Sequence, residues 1–253
     1  MLNYIRHGEG QGGPGLLIAH GLYGSARNWG VISKRLSDTR QVVAVDMRNH
    51  GDSPWFDSHG YPEMASDLAE VIEHLGGTWD VLGHSMGGKA SMALALSHPE
   101  NLRRLIVADI APVSYDHAQT QFIEAMKSVD LSRVEKRSDA LAQLEAIDDP
   151  QLRAFFLQSL DVQGRRWRLN LDVLARDMPK ILSFPSFETQ FDGPVLFLSG
   201  AESHYVTPEY RSEIKRLFPK AQFAKIPGTG HWLHAEKPRE FEAAVRHYLD
   251  MLA

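Results

Sequence analysis

The 253-residue sequence contains no cysteine. Disulfides, thiolate metal sites and a cysteine nucleophile are thereby excluded. No apolar run approaches the roughly 20 residues needed to cross a bilayer. The first residues, MLNYIRHGEG, lack the apolar stretch of a secretory signal. These absences lead to the expectation of a cytoplasmic protein without membrane insertion. Basic residues are not in excess: 27 Lys and Arg stand against 32 Asp and Glu, a net charge of −5. A broad basic surface for nucleic acid is therefore not expected. Repeats and low-complexity tracts are missing too, and oligomeric state leaves no mark in the sequence. What remains is ordinary for a globular chain, with 43% hydrophobic and 23% charged residues. The length suits one large domain, or one domain carrying an insertion.

Short β-rich runs alternate with helical patterns. The runs are GLLIAHG (15–21), QVVAVDM (41–47), WDVLGH (79–84), RLIVADI (104–110), PVLFLSG (194–200) and AQFAKIP (221–227). They read as apolar on both faces, as parallel strands covered on both sides do. Helical periodicity fits 28–36, 63–75, 86–97, 208–218 and 238–252. The alternation predicts an α/β fold with a mostly parallel central sheet flanked by helices. From about 113 to 187 no convincing strand occurs; helical patterns fall at 116–128, 133–147, 150–160 and 171–182. A stretch this long inside a compact domain is usually structured and functional. We expect a core of residues 1–112 and 188–253, and a helical cap, 113–187, inserted in it.

Residues 81–88 read VLGHSMGG, followed by the helical pattern MGGKASMALAL. Gly83–His84–Ser85–Met86–Gly87 is G-x-S-x-G between a strand and a helix, the context of a nucleophile elbow. The glycines let strand and helix backbones come close, and the helix N-terminus offers free N–H groups to an oxyanion. A glycine-rich turn with an idle serine is the plainer reading. Serine needs a base to take its proton. Among 12 histidines, His231 stands out in KIPGTGHWLHAEKP (225–238), after the last predicted strand and a glycine turn. Loops at the carboxyl ends of parallel strands are where sites form in such sheets. His234 is the alternative base, and His84 is expected to pack or hydrogen-bond beside the elbow. The Met86 amide, next after the serine, is one expected oxyanion donor. The Leu22 amide in AHGLYGS (19–25) is the second; the plainer reading of that turn is a helix entry capped by Ser25, and both can hold.

Asp109 closes the apolar run RLIVADI. A carboxylate there costs several kcal/mol if buried without a partner. It is either a cap for the APVSY turn or the partner of something charged. Asp46 and Asp52, in DMRNHGDSP, read as local turn acceptors. Lys89, one helical turn after Ser85, reads as an exposed or paired helix lysine. Phe155, Phe156 and Trp167 read as core, with one or two lining a pocket.

HGLYGS (20–25), DMRNHGDSP (46–54), GHSMGG (83–88) and GHWLHAEKP (230–238) together resemble the α/β-hydrolase superfamily across the whole chain. DMRNHG, GHSMGGKA and DIAPV resemble the YbfF-like bacterial esterases more closely still. The resemblance implies carboxylester hydrolysis, with acyl-CoA thioesters as a further substrate class, by Ser85, His231 and an acid. No cofactor is implied, and without cysteines or clustered ligands a metal is unsupported. Most of the superfamily carries its acid three residues beyond the glycine ending the PVLFLSG-type strand. Here that position is Ser203, which cannot carry the charge that stabilises an imidazolium. In some members, haloalkane dehalogenases and the YbfF-like group among them, the acid ends the strand after the one bearing the nucleophile. That position is Asp109, the expected acid, with Glu202 as the alternative. Carbon–carbon bond hydrolysis and perhydrolysis use the same three groups and stay open. Dehalogenase and epoxide hydrolase chemistry needs an aspartate at position 85. A non-catalytic ligand-binding protein on this fold is the reading from another class, disfavoured because a full Ser–Asp–His set can be assembled.

Overall fold

The computed structural model describes residues 1–116 and 119–251. The chain starts with β1 (Tyr4–His7), β2 (Leu16–Ala19), helix α1 (Gly30–Leu36), β3 (Val42–Val45) and α2 (Tyr61–Leu75). Strand β4 (Trp79–His84), α3 (Met86–Ser97) and β5 (Leu102–Ala108) follow. Then come α4 (Thr120–Lys127), α5 (Arg137–Leu141), α6 (Pro150–Phe156), a ribbon of β6 (Leu160–Asp161) and β7 (Arg166–Trp167), α7 (Leu171–Arg176) and α8 (Met178–Leu182). The chain ends with β8 (Val195–Gly200), α9 (Arg211–Leu217), β9 (Ala221–Ile226), α10 (Leu233–Glu236) and α11 (Pro238–Met251).

Seven strands form one sheet in the order β1-β3-β2-β4-β5-β8-β9. All neighbours in it are parallel except β1, which runs antiparallel to β3 with Tyr4 opposite Val45. The sequence pattern missed β1. Its residues are only partly buried, so backbone pairing rather than hydropathy defines it. Successive side chains of β2 serve opposite faces. Leu17 and Ala19 join one apolar cluster with Met64 and Leu68 of α2, Ala90 of α3 and Ile214 of α9. Leu16 and Ile18 join the other with Leu36 of α1 and Phe241 and Val245 of α11. Both faces of the central strands are thus covered, which explains their unbroken apolar runs. Strand β9 departs from that expectation: as an edge strand it is buried only at its two ends.

The chain passes from β2 to β3 on one side and returns to β4 on the other side of β2. The loops after β2 and β4 therefore diverge at the carboxyl edge, the crevice where such sheets bind ligands. Between β5 and β8 the described residues add no strand to this sheet. The segment is more broken than four helices, and it holds the β6–β7 ribbon that the periodicity did not show. Two-residue strands are too short to display alternation. Their turn is closed by the Gly164 N–H donating to Asp161 Oδ1 at 2.9 Å. Pro179 cannot donate a backbone hydrogen bond, and the expected helix 171–182 divides just before it into α7 and α8. The expected helix 133–147 shrinks to α5. Residues 117–118 of the expected helix 116–128, and Leu252 at the end of 238–252, lie outside the described residues. Among those described, no helix is long and apolar enough to cross a membrane.

Candidate active site

Ser85 sits between β4 and α3 with φ 53° and ψ −119°. That backbone is unfavourable for a residue with a side chain, and it lifts the hydroxyl out of the turn. The flanking glycines permit it, since a Cβ on Gly83 would lie 2.2 Å from the Gly87 carbonyl oxygen. The Ser85 hydroxyl lies 3.0 Å from His231 Nε2. His231 Nδ1–H donates to Asp109 Oδ2 at 2.8 Å. The structure thus brings together three residues spread over 146 positions of sequence.

Asp109 follows β5, fully buried and also at positive φ, 53°. Its charge is met on every side. Besides His231, the Gly200 N–H donates to Oδ1 at 3.0 Å and the Ser203 hydroxyl to Oδ2 at 2.5 Å. Hydrogen bonds to a charged group contribute about 1.5–3 kcal/mol each, which offsets the desolvation of the carboxylate. Glu202 is exposed, its backbone N–H donating to the Thr229 carbonyl at 3.0 Å; the carboxylate hydrogen-bonded to His231 is that of Asp109. His234 lies beside the site but does not reach Ser85. Its ring stacks on Trp29 at 4.3 Å, and burial holds it near pKa 3. His84 Nε2–H donates to the His231 carbonyl at 2.9 Å, which anchors that loop from below. Burial, with His234 and His231 nearby, pushes His84 well below the usual histidine range.

The loop after β2 crosses directly over Ser85. A Cβ on Gly21 would come within 2.9 Å of His84 Nδ1 and 3.3 Å of the Ser85 Cβ. His50 Nε2 accepts from the Tyr23 N–H at 3.2 Å, and Gly24 N–H donates to the Gly21 carbonyl at 3.0 Å. The Leu22 and Met86 amides are left without a partner among the described residues, and both residues line the cavity beside Ser85. Ser25 does initiate the following turn, with its N–H held by Asn28 Oδ1 at 2.6 Å, so helix entry and free amide coexist.

That cavity has a volume of about 330 Å³. Its walls are mostly apolar, with Ile110, Tyr115, Phe122, Phe155, Phe156 and Leu182 among them. Trp167 is not part of it; its indole N–H donates to the Met126 carbonyl at 2.9 Å in the core. Asp46 behaves as a turn acceptor, bonding the amides of Ala26 at 2.7 Å and Asp52 at 2.9 Å. Asp52 itself pairs with Arg168.

Three features escaped the sequence reading. Lys89 is buried rather than exposed, and its partners are not carboxylates. Its ammonium donates to the carbonyls of Leu182 at 2.8 Å and Ser183 at 2.7 Å, at the end of α8. Burial pushes it down to about 7. Tyr205 stacks on the His231 ring at 4.2 Å. Ser203, at the position where most of the superfamily carries its acid, contacts Asp109 directly. Its hydroxyl was the available signal, since it can donate to a neighbouring carboxylate.

A family model describing the α/β-hydrolase fold matches residues 14–238. The mouse (Mus musculus) sn-1-specific diacylglycerol lipase ABHD11 is 42% identical over 248 residues, covering 93% of this chain and 81% of the relative. Esterase YbfF of Escherichia coli K12 is 37% identical, covering 93% of this chain and 92% of its own. A solved structure described as a marine microorganism esterase superposes with a TM-score of 0.92 at 39% identity, covering 97% of this chain and 98% of that one. The family match over most of the length, with relatives at this identity, makes the chain a hydrolase and a member of the α/β-hydrolase fold family.

Proposed function

We propose that this protein hydrolyses carboxylic esters of small molecules through an acyl-enzyme on Ser85. The observation that carries the reading is the hydrogen-bonded line from Ser85 through His231 to buried Asp109, opening on an apolar cavity. Ser85 Oγ attacks the acyl carbonyl while His231 Nε2 takes its proton. Asp109 holds the Nδ1–H tautomer and stabilises the imidazolium. The Leu22 and Met86 amides stabilise the oxyanion, each by about 3 kcal/mol in comparable sites. His231 then passes its proton to the leaving oxygen, and a water activated by the same nitrogen releases the acid. The reading needs no cofactor.

Residues 113–187 act as the cap over a core of 1–112 and 188–253. Support comes from Tyr115, Phe122, Phe155 and Leu182, which that segment places in the cavity wall. An apolar wall suits an acyl chain, and the same acyl-enzyme accepts a thioester such as an acyl-CoA. The names of the mouse and E. coli relatives suggest glycerol esters and simple esters as first probes. The test is a screen of p-nitrophenyl esters, diacylglycerols and acyl-CoA thioesters with Ser85→Ala as the blank. Ester hydrolysis that vanishes in the variant is expected. Hydrolysis surviving at the wild-type rate would remove the proposal.

A further inference from the structure

Ser203 lies in the loop after β8, with its hydroxyl 2.5 Å from Asp109 Oδ2, the oxygen that also receives His231 Nδ1–H. The Tyr205 N–H donates to Ser203 Oγ at 3.2 Å. That contact occupies a lone pair and leaves the hydroxyl proton for the carboxylate. The Gly200 N–H holds the other oxygen. Tyr205 then covers the base, its ring stacked on the imidazole with 29° between planes. Tyr115 ties this loop to the turn carrying the acid. Its hydroxyl donates to the Tyr205 carbonyl at 2.7 Å and accepts the Ala111 N–H at 3.0 Å. One short loop thus grips the carboxylate at an oxygen and the imidazole at its face.

We propose that Ser203 is a positioning residue for the reaction: it fixes the Asp109 carboxylate plane and, through it, the aim of His231 Nε2 at Ser85. The inference rests on the Ser85–His231–Asp109 reading above. Torsion about the last bond of an aspartate is soft, so a carboxylate keeps one orientation only if its oxygens are held. A short hydroxyl–carboxylate bond is among the stronger ones. Without it Oδ1 is still held by Gly200, but Oδ2 has only His231, so that oxygen and the imidazole can shift together, and a misaimed base slows the chemical step far more than it weakens binding. Ser203 does not line the cavity, so substrate binding has no direct dependence on it.

The experiment measures kcat and KM on p-nitrophenyl acetate for wild type, Ser203→Ala, Ser203→Thr and the Ser85→Ala blank, with a melting curve for each. Ser203→Ala is expected to lower kcat about tenfold, the loss of one charge-assisted hydrogen bond, with KM within about twofold. Ser203→Thr, which keeps the hydroxyl, is expected to recover most of kcat. If the loop merely stitches the fold, Ser203→Ala lowers the melting temperature and leaves kcat alone. A wild-type kcat in Ser203→Ala beside an inactive Ser85→Ala overturns this inference and spares the nucleophile. A loss that threonine does not restore, or that falls on KM, overturns it too. A Ser85→Ala variant that hydrolyses normally overturns the reading beneath.

Discussion

Asp109 combines an unfavourable backbone conformation with a fully buried charge. Neither persists in a fold unless neighbours hold it, and the neighbours here are an imidazole, an amide and a hydroxyl. Removing its charge should therefore touch chemistry more than shape. Asp109→Asn is expected to lower kcat by roughly 10³–10⁴-fold, as loss of the triad carboxylate does elsewhere. Glu202→Gln is expected to be nearly silent, its side chain being exposed. Steady-state kinetics of the two variants side by side checks this. Ser85, His231 and Leu22 were legible because each sits in a contiguous pattern of strand, glycine and loop. Asp109 is pointed to only by the resemblance to those superfamily members whose acid ends the strand after the one bearing the nucleophile. The Ser203–Asp109 bond joins residues 94 positions apart and depends on side-chain direction, which spacing does not encode.

At the scale of elements, the first turn of α3 serves two purposes. Its first residue, Met86, lines the cavity beside Ser85, and one turn on Lys89 pins the end of α8 to it. The sequence showed a lysine on a helix; that α3 is covered on all sides became visible only in the packed structure, where Met86 to Leu96 are all buried. The other misses share this origin: β1 is defined by its partner strand, and α7 and α8 by a proline whose effect the hydropathy pattern does not display. Burial of Lys89 gives a measurable sign. Its pKa falls from 10.5 to about 7, so between those values the unfolded chain holds a proton that the native state has released. Unfolding there takes up a proton, and stability rises with pH across the window by up to about 1.4 kcal/mol per unit. The neutral amine keeps both carbonyl bonds, since two N–H groups suffice. Urea denaturation at pH 7 and pH 9 should show wild type gaining stability relative to Lys89→Met. Equal gains in both proteins would show that the ammonium is not strained by burial.

Across the whole molecule, a set of histidines is buried neutral around the site. His20, His50 and His84 are pushed down chiefly by burial, and His59 and His234 reach about 3 for the same reason. His20 and His50 each accept a backbone N–H that shapes the loops at the carboxyl edge, from Met47 and Tyr23. Below the unfolded value of 6.5 the unfolded chain protonates these rings while the native state resists. Stability is therefore complete above about pH 6.5 and falls as pH drops toward 3. Melting curves at pH 7, 6 and 5 should show an accelerating loss of Tm, and a flat profile would mean that the rings are not held neutral. The α/β class and the parallel strand run were legible because a sheet covered on both faces writes itself as unbroken apolar segments. The cavity was not, because its walls come from Leu22, Phe155, Tyr205 and other residues far apart in sequence.

The proposed mechanism requires Ser85 to carry an acyl group during turnover. Peptide mass mapping of protein acid-quenched while hydrolysing a p-nitrophenyl ester tests it most directly. The acyl mass is expected on the peptide containing Ser85 in the wild type and is expected to be lost in His231→Ala, in which the serine has no base to take its proton. An acyl group found only on another residue, with Ser85 unmodified and Ser85→Ala still turning over, would contradict it.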